Sequence, residues 1–137
     1  MTTATHVGSP RERAIRAGLA ILGVSYLAIA ALQAFAPGSF VEHVGPFGEL
    51  NAHYVRDVAS WYGAAGIVLL LAAGRPAWRV PVLVLALLQG MFHFVNHIVD
   101  VGEADPAWLG PGDAVLLLAT LGITWWLLAA AQKEEGR

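Results

Sequence analysis

Side chains able to do chemistry are few in this chain, and they gather in two short stretches. His53, Arg56, Asp57 and Ser60 recur at spacings of three and four, and so do Gln89, His93, Asn96, His97 and Asp100. At about 100° per helical residue, each set occupies one arc of about 100°. His93 and His97 have the i, i+4 spacing with which two imidazoles on one helix face ligate a single metal ion, and His53 and Asp57 repeat it with a carboxylate. His53, Asp57, His93 and His97 are therefore the candidate metal ligands, suited to zinc, iron or copper. Arg56, Gln89, Asn96 and Asp100 are placed to hydrogen-bond around them or to contact a ligand. No Glu stands between the two histidines, as it would in a metalloprotease helix. A haem bound by one histidine from each helix is an alternative that so small a chain would enclose poorly. The same residues also suit a pocket for a quinone, lipid or other small apolar ligand, with histidine as its proton partner. They suit equally a structural network of hydrogen bonds and ion pairs that holds no ligand.

Composition narrows the setting. Of 137 residues, 57% are hydrophobic and 13% charged, against about 25% charged in soluble domains, so lipid is expected to be part of the solvent. The length suits one compact domain. Cysteine is absent, which removes disulfides, thiolate metal sites, cysteine nucleophiles and iron–sulfur clusters together. With a net charge of −2 and scattered basic residues, the chain lacks a nucleic-acid-binding surface. No Gly-rich phosphate loop and no Ser nucleophile elbow occurs, so the sequence names no reaction.

The elements that must position the two polar stripes are four apolar segments, each near the ~20 residues that cross a bilayer. They run from about Ile15 to Phe35, Ala52 to Ala73, Val80 to Val101 and Ala114 to Ala131. Gly110-Pro111-Gly112 reads as a turn, with Asp113 as N-cap of the fourth span and Pro81 in the first turn of the third. The whole is expected to be an all-α, four-helix transmembrane bundle filling residues 1–137. Arg11, Arg13 and Arg16, then Arg75 and Arg79, then Lys133 and Arg137, lie at one end, whereas the stretches Pro37–Leu50 and Gly102–Gly112 contain no Lys or Arg. The positive-inside rule thus predicts cytoplasmic N- and C-termini in a cell membrane, with Trp78, Trp125 and Trp126 near the inner interface and Trp108 near the outer one. Ala34-Phe35-Ala36 resembles a small-residue cleavage site, but the preceding apolar stretch is longer than that of a signal peptide, so the first span is expected to be retained.

This topology puts both stripes in the outer leaflet at similar depth, with Gln33, Glu103 and Asp105 close enough to join them. Ionisable groups facing lipid cost several kcal/mol, so His53 and Asp57 are expected to turn inward toward His93 and His97. Ala59, Gly63 and Gly66 read as a small-residue surface for close helix approach, and His6 and His43 as exposed.

At these residues the chain resembles a known group. Pro46-Phe47, Asn51-Ala52-His53-Tyr54-Val55-Arg56-Asp57 and His93-x-x-Asn96-His97, followed by a fourth apolar span, are similar to small DoxX-like bacterial membrane proteins over about the last two-thirds of the chain. The resemblance implies a four-helix inner-membrane protein in which His53, Arg56, Asp57, His93 and His97 form one site. It implies little about activity. The expected function is a small membrane protein whose buried polar site binds a metal ion or small ligand, with a redox link as one form of it. The alternative is an accessory or structural subunit that pairs with a larger membrane complex or with its own copies.

Overall fold

The computed structural model describes residues 9–136; His6 and Arg137 lie outside them. Five helices form: α1 Pro10–Phe35, α2 Pro37–His43, α3 Ala52–Gly74, α4 Pro76–Val99 and α5 Leu109–Glu135. All but α2 are long and apolar enough to cross a membrane. The local signals that start them are clear. Ser9 accepts from the Glu12 amide at 3.1 Å with Pro10 behind it, and Asn51 accepts from the Tyr54 amide at 3.1 Å, each satisfying an amide that the first turn leaves without a partner.

Three boundaries differ from those the sequence suggests. Helix α4 begins at Pro76, so Pro81 lies inside it and not in its first turn. Helix α5 begins at Leu109 and absorbs Gly110-Pro111-Gly112, because a proline so near a helix start forfeits no intrahelical hydrogen bond. Asp113 is consequently a helical residue, not a cap. The stretch after α1 also contains the short helix α2.

Helices α1, α3, α4 and α5 pack in that order around a ring. Pairs α1–α3 and α4–α5 are the most extensive, while α3 and α4 meet less, although Arg75 alone joins them. Glycine explains the closest crossing. A Cβ on Gly66 would lie 2.9 Å from the Gly23 carbonyl oxygen, and one on Gly23 would lie 3.0 Å from the Gly66 oxygen, so α1 and α3 touch backbone to backbone. The small-residue surface expected on the second span is this contact, with Ala59 buried beside it.

The main cluster of buried apolar side chains lies in one half of the bundle. Ile15, Leu19, Leu22, Leu69, Ala72, Leu83, Leu127, Leu128, Ala130 and Ala131 form it, and all lie toward the chain termini. That end is fastened by Arg79, which is 4% exposed. Its guanidinium donates to both carboxylate oxygens of Glu12 at 2.6 and 2.8 Å, and to the Ala72 and Ala73 carbonyls at 3.3 and 3.1 Å. One side chain of α4 thereby ties α1 to the carbonyls at the end of α3, where Ala72 also accepts from the Arg75 amide at 3.2 Å. Outside, large apolar side chains such as Ile21, Ile67, Leu85, Phe92, Leu116 and Trp125 stand exposed. Apolar surface this extensive suits lipid and not water; the molecule is a multi-pass membrane protein.

Candidate functional site

In the opposite half of the bundle, at the loop end, lies a cavity of about 400 Å³, within the ~300–1,000 Å³ usual for small-molecule sites. Every helix contributes to it: Ile29 and Gln33 from α1, Phe40 from α2, Val55, Val58 and Tyr62 from α3, His93 and His97 from α4, and Asp113, Leu116 and Leu117 from α5. The two loops meet at this end, where Phe47 and Ala104 form an isolated antiparallel bridge and the Asp105 amide donates to the Pro46 carbonyl at 3.4 Å. That pairing sets the Phe47 ring edge-on to His97, centroids 4.9 Å apart.

The polar side chains of the cavity come from four different segments. His93 and His97, one turn apart on α4, stack edge to face with centroids at 4.6 Å, and His93 meets Tyr62 at 6.4 Å. Tyr62 in turn packs edge-on against Tyr26 at 5.1 Å. Gln33 is 3% exposed. Gln33 Oε1, His97 Nδ1 and Asp113 Oδ2 are all buried without a protein hydrogen-bond partner. An unpartnered buried acceptor costs about 1–3 kcal/mol, and such groups are few in native proteins. Three on one cavity are a local concentration that calls for a cause.

The placement of the sequence candidates divides. His93 and His97 face inward as expected, and Gln33 joins them. His53 and Asp57 do not. They pair with each other, His53 Nε2 to Asp57 Oδ2 at 3.4 Å, with side chains 88% and 65% exposed. On α3 they share with Arg56 and Ser60 the arc opposite the buried Ala59–Tyr62–Gly66–Leu69 face. The cost of facing lipid is avoided by depth instead of burial. These residues occupy the first turns of α3, from which polar tips reach the interface. Arg56 is exposed too, its Nε donating to the Ala34 carbonyl at 3.4 Å near the end of α1. Asn96 and Asp100 are exposed, and Gln89 is half-buried beside the Tyr62 hydroxyl. Glu103 and Asp105 lie exposed in the loop and do not line the cavity. Among the described residues, no group of three or more His, Asp and Glu side chains is close enough to hold a metal ion. The four-residue ligand set expected from spacing is thus split between two faces.

Asp113 is the cavity residue that the sequence misplaces. Its signal was present, since a proline is accepted in a first helical turn and the helix could begin before it. Tyr62 also borders the cavity. As to chemistry, the arrangement offers hydrogen-bond acceptors and an imidazole–carboxylate neighbourhood inside an otherwise apolar chamber. It can bind, orient and exchange a proton with a donor group. No protein-family model, curated protein or solved structure matches the chain.

Proposed function

We propose that this membrane protein binds a small, largely apolar molecule in the loop-end cavity through a hydrogen-bond-donating head group. One observation carries the proposal: Gln33 Oε1, His97 Nδ1 and Asp113 Oδ2 are buried around a single apolar-walled cavity with no protein hydrogen-bond partner. Each hydroxyl or N–H group of an occupant satisfies one of them and recovers its desolvation cost, with water able to serve the rest. A phenol or a reduced quinone has that chemistry, whereas the carbonyls of an oxidised quinone add acceptors to acceptors. His97 and Asp113 are then the proton-accepting partners, and His93 and Tyr62 pack against the head group. His53, Asp57 and Arg56 have no part in it.

Orientation belongs to the same proposal. The Arg11, Arg13, Arg16, Arg75 and Lys133 end is cytoplasmic by the positive-inside rule, and the cavity opens in the outer leaflet of a bacterial cell membrane.

The test compares para-ethylphenol with para-ethylanisole, which is nearly isosteric but has no donor. Thermal unfolding of the detergent-purified protein should shift upward saturably with the phenol and not with the anisole. Equal shifts would mean non-specific partitioning, and no shift would mean that the cavity serves water alone; either refutes the proposal.

A further inference from the structure

Among long helices that follow one another in the chain, α3 and α4 meet least. Their seam is lined by two grooves, of about 170 and 450 Å³, running from Val82 toward Asn96. The larger is walled by Trp61, Leu85, Leu88, Gln89 and Phe92, and it ends on His93. His93 also lines the interior cavity. One half-buried side chain is thus common to the cavity and to the groove on the lipid-facing surface. At the loop end the cavity is lined by Phe40, Val44, Phe47 and Tyr54, with Tyr54 68% exposed, so a route there is the alternative that the experiment must separate.

We infer that the ligand is a head-and-tail amphiphile of the bilayer, whose tail leaves the cavity past His93 and lies in the α3–α4 groove. This rests on the cavity being a ligand site, as proposed above. The Tyr62 and His93 rings, edge-on at 6.4 Å, close the aperture, and rotation of His93 about its side-chain torsions opens it on the fast timescale of rotamer exchange. The groove walls are among the strongly exposed apolar residues, Phe92 at 73% and Leu85 at 56%. A hydrocarbon tail matches them, while a polar solute arriving from water does not. The head is sorted by the acceptors inside, and the tail by the seam. The source of the ligand is thereby the membrane.

A para-alkylphenol carrying a photoreactive diazirine at the end of a long alkyl tail reads this directly. With the full-length protein in lipid nanodiscs, crosslinks should map to Trp61, Leu85, Leu88 or Phe92 and be competed by excess para-ethylphenol. Leu88→Trp, which fills the groove outside the cavity lining, should cut that labelling several-fold while para-ethylphenol still stabilises the protein. Competed crosslinks at Phe40, Val44 or Tyr54 would overturn the α3–α4 route but leave the cavity a ligand site. Crosslinks that para-ethylphenol does not compete, with no stabilisation by it, would overturn both.

Discussion

Removing the Glu12 carboxylate should loosen the terminal end of the bundle by more than an ordinary surface pair would. The Arg79 guanidinium, 4% exposed, makes four hydrogen bonds, two to Glu12 and two to the Ala72 and Ala73 carbonyls. Hydrogen bonds to charged groups contribute about 1.5–3 kcal/mol each, and stripping one partner from a buried pair costs about 3–5 kcal/mol. The Glu12 side chain is 25% exposed, so water reaches part of the orphaned guanidinium and lowers the cost. Glu12→Ala should therefore destabilise by about 2–3 kcal/mol, roughly a 30- to 140-fold change in the unfolding constant. The assay is a sodium dodecyl sulfate titration in mild-detergent micelles, followed through the five tryptophans. A double-mutant cycle with Arg79→Met should return a coupling of about 1.5 kcal/mol or more, well above the ~0.2–1 kcal/mol of exposed pairs. Arg11 and Glu134, 4.0 Å apart and partly exposed, supply the control: Arg11→Ala should change stability by less than about 0.5 kcal/mol. A Glu12–Arg79 coupling as small as the control would refute the assignment of this pair as the fastening of α1, α3 and α4.

Three further outcomes are expected. Because para-ethylphenol has one donor hydrogen, at least one of His97→Ala and Asp113→Asn should weaken its binding about tenfold, the loss of one hydrogen bond of ~1.4 kcal/mol, while His53→Ala and Asp57→Ala leave it unchanged; stoichiometric zinc lost from both His53→Ala and His97→Ala would instead restore a shared metal site. Gly66→Leu should cost about 1–3 kcal/mol or more by overpacking the crossing with Gly23, whereas Gly63→Ala, whose Cβ would sit 3.8 Å from that of Ala30, should be tolerated in the same titration. Reporter fusions after Lys133 and in the Arg75–Arg79 stretch should register as cytoplasmic and one beside Asp105 as external; opposite sides for Lys133 and Arg75 would contradict an even number of crossings.

Segment length and hydropathy alone determined the four spans, because crossing hydrocarbon demands about 20 apolar residues whatever the packing partner. Residue size alone marked the surface of α3 for close helix approach, since only Gly and Ala let backbones come so near, while the structure named α1 as the partner. The periodicity of α4 likewise put His93 and His97 on one face, and that face does line the cavity. What the sequence could not decide was the rotation of α3. Its polar arc of His53, Arg56, Asp57 and Ser60 and its small-residue arc of Ala59 and Gly66 lie on opposite sides, so only one could turn inward. The contact of Gly66 with Gly23 on α1 chose the small face, and the polar arc was carried outward to the interface. Arg79 shows the same limit: it looked like one more basic loop residue until the fold brought Glu12, 67 positions away, within hydrogen-bond reach. Asp113 entered the cavity for a local reason, because α5 began a turn early. Helix identity follows from the chain's own spacing, but the facing of each helix depends on its neighbours, and the site is made of facings.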